Sequence, residues 1–172
     1  MTGRQCQIEA QVVPRWHVRP MRVADLPAIT RIELRIFAAP WTHGNFADSL
    51  AAGYDGWVFS DPSDSSAILG YSLLMWTPDE VHLLNLSVND SVQGRGLGAQ
   101  FLDWILSNLM HRGAQSILLE VRPSNLAALR LYERMGFHRI GLRRGYYPPQ
   151  EGVREDAIVM VRRLDALRAP NQ

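Results

Sequence analysis

The amino-acid sequence predicts a mixed α/β domain built on a mostly antiparallel sheet. Three observations carry that prediction. The 172 residues amount to one domain, long enough to bury most of its apolar surface without disulfides or metals. Apolar residues follow helical spacing in four stretches, and short runs with strand character fill the space between them. Those stretches run strand, helices, several strands, then helix, strand, helix, strand, strand, which is not the alternation of a parallel βαβ protein.

Each element has a local reason. Trp16 to Arg19 reads as a first strand. Asp25 is a suitable helix cap, and Leu26, Ile29, Ile32, Ile36 and Phe37 form an apolar stripe behind it that Pro40 brings to an end. A second short helix is expected from Asn45 to Ala52, with Phe46 and Leu50 facing inward. Trp57–Ser60 and Ala67–Trp76 read as antiparallel strands, joined by the polar turn Asp61-Pro62-Ser63-Asp64-Ser65-Ser66. Glu80 to Val88 is a strand that runs straight into a glycine-rich segment. From Gly96 to Arg112, Leu97, Phe101, Ile105 and Leu109 make an amphipathic helix, and Gly113 stands where a left-handed stop belongs. Ser116–Arg122 is a strand, Asn125–Met135 a helix stopped by Gly136, and Phe137–Leu142 and Asp156–Arg163 are the closing strands. Residues 1–14 read as a loose leader, 15–165 as a single domain and 166–172 as a tail.

Composition narrows the function classes. A net charge of +1 gives no strong electrostatic grip on nucleic acid or an anionic membrane. All basic residues are arginine, which a bias in codon usage explains better than selection at any one position. One cysteine, Cys6, allows neither an internal disulfide nor a cysteine-rich zinc site, and His82, His111 and His138 lack ligand spacing, so no metal is expected. The N-terminal stretch carries Arg4 and Glu9 and has no long apolar run, and no stretch is apolar enough to span a bilayer. A cytoplasmic protein is the expectation.

The segment Gln93-Gly94-Arg95-Gly96-Leu97-Gly98 ends a strand and opens a helix. Such a junction offers main-chain N–H groups without intrahelical partners, and the helix dipole favours negative charge there. Taken alone, a chain-reversing glycine turn fits equally well. The Walker loop is unsuitable, since Ala99 and Gln100 follow the last glycine instead of Lys and Ser or Thr. The dinucleotide fingerprint fails on glycine spacing and on its parallel βαβ context.

With Gln93, Gly96 and Gly98 at their spacing, the sequence resembles the GNAT acetyltransferases over about Val18 to Arg163. It is most similar to the branch that acetylates the N-terminal alanine of a ribosomal protein. Carrying the likeness are Glu33 with Phe37, Pro40 and Trp41; Leu86-Ser87-Val88; Leu119-Glu120-Val121-Arg122-Pro123-Ser124-Asn125; Leu131-Tyr132-Glu133; Met135-Gly136-Phe137; Arg143-Arg144-Gly145-Tyr146-Tyr147-Pro148; and Glu155-Asp156-Ala157.

That resemblance implies an acyl-CoA N-acyltransferase fold, with helices on both faces of the sheet and a splayed pair of strands in which acetyl-CoA lies. It implies that Leu86, Ser87 and Val88 line the pantetheine arm, with a main-chain N–H polarising the thioester carbonyl. Gly94, Arg95, Gly96, Leu97, Gly98 and Ala99, with Gln93, would hold the pyrophosphate, and Asn125 would bond the cofactor. Glu120 would be the base and Tyr132 the acid. Glu33, Trp41, Arg143, Tyr146 and Tyr147 would wall a peptide groove. The implied partner is a protein N-terminus of the small ribosomal subunit. Another N-terminus, a lysine, a small amine or a non-catalytic acetyl-CoA-binding module are the alternatives.

Residue chemistry weighs these roles independently. Glu120 sits mid-strand in Ile117-Leu118-Leu119-Glu120-Val121, where a carboxylate is costly unless used or paired. Burial there favours a base with a raised pKa, whereas a structural ion pair with Arg122 is the competing reading. Tyr132 shares an apolar stripe with Ala128, Leu131 and Met135, so it also reads as a core tyrosine. Asn125 is a natural helix cap, a role compatible with cofactor binding.

Overall fold

The computed structural model describes residues 16–149, 152 and 154–164. The leader with Cys6 and the tail lie outside the described residues. Among the described residues, seven strands form one sheet in the order β1-β2-β3-β4-β5-β7-β6. They are β1 (His17–Pro20), β2 (Asp55–Ser60), β3 (Ile68–Trp76), β4 (Val81–Val88), β5 (Ser116–Val121), β6 (His138–Arg143) and β7 (Ala157–Arg163). Every neighbouring pair is antiparallel except β4 and β5. The helices are α1 (Leu26–Ile36), α2 (His43–Ala51), α3 (Leu97–His111) and α4 (Leu126–Arg134).

The sheet separates two apolar cores. On one face Leu26, Ile29 and Ile32 of α1 and Phe46 of α2 pack against Val58, Tyr71 and Leu73. On the other, Phe101, Leu102, Ile105, Leu106 and Leu109 of α3 and Leu129 and Tyr132 of α4 cover Phe59, Leu83, Ile117 and Leu119. Each fully buried Leu, Ile or Phe contributes about 1.5–3 kcal/mol, so the α3 stripe is the main anchor of its face. Phe101 stacks on Phe59 at 4.0 Å, which is possible because Gly70 beneath has no side chain. A Cβ at Gly70 would stand 2.5 Å from the Phe101 ring and 2.6 Å from the Ser87 carbonyl.

Two local expectations need correction. The Asp25 side chain does not cap α1: its carboxylate is taken by Arg19, at 2.7 Å to each oxygen, and by the Arg22 N–H at 2.8 Å. Nor does α1 run to Pro40. It ends at Ile36, where Phe37 turns to extended backbone at φ −117° and ψ 136°. Glu33 is the reason, because its carboxylate accepts the Trp41 N–H at 3.0 Å and draws the chain back across the end of the helix.

Two irregularities shape the centre of the sheet. β4 and β5 pair only through Val81–Ile117, His82–Leu118 and Leu83–Leu119, then diverge. At the same point Leu73 pairs with Asn85 and Leu74 with Leu83, so Leu84 is an extra residue on β4, a β-bulge. The bulge changes which face each later side chain meets. Val81 and Leu83 belong to the α3 core, and without the bulge Asn85 and Ser87 would follow them. Instead Leu86 and Val88 pack on that side, while Asn85 and Ser87 turn towards α1.

Candidate active site

A cavity of about 440 Å³ occupies the place where β4 and β5 part. Its walls come from both faces of the sheet. Glu33, Phe37 and Trp41 approach from α1 and the turn after it, whereas Asn125, Ala128 and Tyr132 approach from α4 on the opposite side. Leu86 and Asn85 form the β4 edge, Glu120 the β5 edge, and Tyr146 and Tyr147 the remaining wall. Side chains alternate along β5: Ile117, Leu119 and Val121 enter the α3 core, so Glu120 emerges on the α1 face. The separation of the strands is therefore what lets Glu120 and Tyr132, on opposite faces, border one space.

Glu120 keeps only 19% of its side chain accessible and pairs with Arg143 at 2.8 Å. Its counter-ion is not Arg122, which bonds Glu155 at 3.1 Å and lies over the Tyr147 ring at 4.0 Å. Glu155 also accepts the Ser124 N–H and hydroxyl, and Asp156 accepts the Gly145 N–H at 2.7 Å. These contacts seat the Arg144–Pro148 loop against the end of β5. The Tyr146 hydroxyl is raised above its ordinary pKa, first by its hydrogen bond to Glu120 and then by burial. Burial, with Glu120 adding to it, raises Tyr147 as well.

Tyr132 is 8% exposed and packs against Phe137. Burial alone pushes its hydroxyl up to about 12, so it is a weaker acid than a free phenol. Asn125 caps α4 by accepting the Ala128 N–H at 3.1 Å, and it borders the cavity as well.

Main-chain donors on β4 follow from the pairing phase. The Asn89 N–H bonds the Leu69 carbonyl, which places Ser87 and Asn85 in the residues bonded to β3. Leu86 and Val88 then direct their N–H and carbonyl groups away from β3, into the widening gap. In accord with this, the Val88 carbonyl is met from that side by the Gln93 amide at 3.0 Å. Of the three β4 residues expected to line an extended cofactor arm, Leu86 borders the cavity. The Ser87 side chain turns the other way to bond Asn85, and the Val88 side chain packs by Gly98.

Beyond β4, Gly94 and Gly96 adopt φ 75° and 77°, the left-handed region that glycine enters without strain. The space above both is open. Entering α3, the first main-chain donor with a partner among the described residues is Gln100, bonded to the Gly96 carbonyl. The N–H groups from Gly94 to Ala99 have no partner among the described residues and stand at a helix N-terminus, a fit for a diphosphate. Leu97 is buried, so only its backbone is available, and Arg95 is exposed. Gln93 is spent on Val88 and acts as a tie holding the loop to the strand.

Glu33 borders the cavity, but its carboxylate is turned into hydrogen bonds with neighbouring elements. It is 1% exposed and accepts Tyr71 Oη at 2.7 Å, Asn85 Nδ2 at 2.8 Å and the Trp41 N–H. Sequence reasoning passed over Asn85, although a polar residue within Leu83-Leu84-Asn85-Leu86 is the same signal that drew attention to Glu120. Of the histidines, His82 meets Glu80 at 2.8 Å, His111 meets the Ser107 carbonyl, and His138 is exposed on β6. Among the described residues no group of three His, Cys, Asp or Glu gathers.

A sheet split between a parallel pair, with main-chain donors of one strand and of the following helix turned towards the opening, is the arrangement expected of an acyl-CoA acyltransferase. The chain belongs to the acetyltransferase (GNAT) family, whose model matches residues 26–137. It is an acetyl-CoA-dependent N-acetyltransferase. Among its relatives, the [ribosomal protein bS18]-alanine N-acetyltransferase of Escherichia coli K12 is 36% identical over 143 residues, 83% of this chain and 94% of the relative. The protein of that name from Haemophilus influenzae is 30% identical over 83% of this chain and 95% of its own length. The crystal structure of the ribosomal-protein-S18-alanine N-acetyltransferase from Escherichia coli superposes with a TM-score of 0.80 at 33% identity, covering 91% of this chain and 98% of that one. Ard1 from Thermoplasma volcanium, at 21% identity and TM-score 0.74 over 87% of this chain and 97% of its own, shares the fold.

Proposed function

We propose that the protein transfers acetyl from acetyl-CoA directly to the N-terminal α-amine, an alanine, of a small-subunit ribosomal protein. The observation that carries the chemistry is the through-sheet cavity, bordered by Glu120 from one face and Tyr132 from the other. The choice of acceptor is supported by the 36% identity that spans nearly all of the Escherichia coli relative.

In this mechanism the diphosphate of acetyl-CoA rests on the N–H groups from Gly94 to Ala99. Its pantetheine arm lies along Leu86 to Val88, and Asn125 bonds it from α4. Glu120, directly or through one water, takes a proton from the substrate ammonium. The free amine forms the new N–C bond at the thioester carbonyl, and the Leu86 N–H holds the oxyanion. The C–S bond then breaks, Tyr132 gives its proton to sulfur, and the nitrogen loses its second proton to water as the amide forms, after which Tyr132 is reprotonated from solvent. A simple thiol has a pKa of ~8.5, well below the buried tyrosine, but the apolar setting that raises Tyr132 raises an adjacent thiolate too and narrows the gap. Trp41, Tyr146, Tyr147 and Arg143 border the acceptor's path.

The amine class follows from magnitudes. An α-amine has a pKa of ~7.7–8.0 against ~10.4 for lysine, so deprotonating lysine costs roughly 3 kcal/mol more at neutral pH. A carboxylate base is better matched to the α-amine. The test is mass spectrometry of a peptide beginning Ala-Arg-Tyr after incubation with acetyl-CoA. One acetyl group on the α-amine is expected, and none on a lysine in the same peptide when its N-terminus is blocked. An unmodified α-amine rejects this acceptor.

A further inference from the structure

We infer that Glu33 is a positioning residue: through Asn85 it fixes the phase of the β4 bulge, and so aims the Leu86 N–H that meets the thioester carbonyl. The inference rests on the proposed role of Leu86. Glu33 is a carboxylate at 1% exposure whose hydrogen bonds all come from neutral groups, the Tyr71 hydroxyl, the Asn85 amide and the Trp41 N–H. A carboxylate buried in this way is costly, and an amide or an apolar residue would fill the space with less penalty. The three donors explain what it achieves. They belong to β3, to β4 one residue past the bulge, and to the turn that carries Trp41 into the cavity wall.

Bulge position decides the geometry. A slip of one residue exchanges the two faces of a strand and also exchanges the groups bonded to β3 with those facing the gap. With Leu84 bulged, Asn85 reaches Glu33 and its own carbonyl side chain accepts the Ser87 hydroxyl at 2.9 Å. The intervening Leu86 then has its N–H directed into the cavity. Without the bulge, or with it moved past Leu86, Leu86 would stand opposite Tyr71, whose main-chain groups face β4, and the Leu86 donor would turn to β3. A carboxylate accepts from Asn85 and Trp41 through separate oxygens, whereas a glutamine offers a single acceptor oxygen. Glu33→Gln therefore loses one of the two holds without changing volume.

The experiment compares Glu33→Gln, Asn85→Ala and Tyr71→Phe, each measured for kcat, for KM of acetyl-CoA and for the carbonyl stretch of bound carbonyl-13C acetyl-CoA. Glu33→Gln and Asn85→Ala should each lower kcat by about 10- to 100-fold, the scale of a small misplacement of a catalytic group, with little change in the acetyl-CoA KM. Their carbonyl band should move towards that of free acetyl-CoA, and the double variant should be no slower than the worse single one. Tyr71→Phe removes another donor to the same carboxylate while leaving the Asn85 link, so it should lose stability but keep its carbonyl band. A wild-type band displaced from that of free acetyl-CoA and retained in Glu33→Gln and Asn85→Ala overturns the inference alone. A wild-type band equal to that of free acetyl-CoA overturns the Leu86 role and this inference with it. If Glu33→Gln does not fold, Asn85→Ala decides.

Discussion

Replacing Tyr132 by Phe separates its two possible uses, as a piece of core and as an acid. Among the described residues no protein group bonds its hydroxyl, and burial is the whole cause of its raised pKa. Going from 10.0 to about 12 corresponds to roughly 2.7 kcal/mol against the tyrosinate. The folded-state pKa lies above the unfolded one, so this contribution to stability is complete below the ordinary phenol range and is lost as pH rises towards about 12. It follows that Tyr132 stays protonated across any practical assay range. Removing the oxygen should change stability by less than about 1 kcal/mol, because no protein hydrogen bond is lost. Removing a general acid should slow turnover by about 10²- to 10⁴-fold. The assay is release of the coenzyme A thiol at saturating donor and peptide, between about pH 7 and pH 10, beside thermal melts of both proteins. Acetyl-CoA affinity should be retained. Turnover in Tyr132→Phe within about threefold of wild type would refute the acid role. A fall in wild-type rate between about pH 7 and pH 10 that disappears in the variant would instead refute the raised pKa, since it would show Tyr132 losing its proton in that range.

Other perturbations address the surrounding parts. Gly96→Ala and Gly113→Ala both force a side chain into left-handed backbone, at φ 77° and 82°, and each should cost about 1–2 kcal/mol by thermal or urea melts. Only the first should weaken coenzyme A binding by calorimetry, since Gly113 merely ends α3; equal affinity in both would remove the diphosphate from the loop. Arg143→Gln should alter stability by less than about 1 kcal/mol, because Arg143 is half exposed, and should raise the peptide KM while leaving that of acetyl-CoA. An unchanged peptide KM would leave Arg143 with no part in acceptor binding. Burial tends to raise the Glu155 carboxyl, but hydrogen bonds from Ser124 and Arg122 outweigh it and hold the pKa below the ordinary range. Its stabilisation is thus full above the unfolded-state pKa and is lost as pH falls through the lower folded-state value, so acid melts of Glu155→Gln and wild type should converge at low pH.

The sequence displayed the elements well where one force dominated. The α3 stripe and the left-handed stops Gly113 and Gly136 were legible because helical spacing and backbone sterics act locally. Glu120 was legible for a similar reason: a charge amid Ile117, Leu118, Leu119 and Val121 has few uses. Its partner was not, because Arg143 arrives from β6, on the far side of β7, and only sheet order reveals that. The misread end of α1 has the same origin. Pro40 is a visible breaker, yet the helix stops earlier because Glu33 captures the Trp41 N–H across the turn. The bulge at Leu84 leaves no mark in the pattern of Val81-His82-Leu83-Leu84-Asn85-Leu86, and with it the direction of Asn85 was hidden. The groove role of Glu33 came from the resemblance alone, and its burial could not be read from its neighbours because it depends on Tyr71, 38 residues away along the chain.

The parting of β4 from β5 has a consequence for traffic. With walls from both faces of the sheet, the slot would give donor and acceptor of the proposed reaction separate doors, one beside α4 and the other beside the α1 turn and the tyrosine loop. Neither molecule has to vacate for the other to arrive. Both could then be resident together in the proposed direct transfer, with no side chain storing the acetyl group between visits. On the proposed function, coenzyme A and the acetylated chain would withdraw in opposite directions, so that a polypeptide acceptor would not have to thread past a nucleotide.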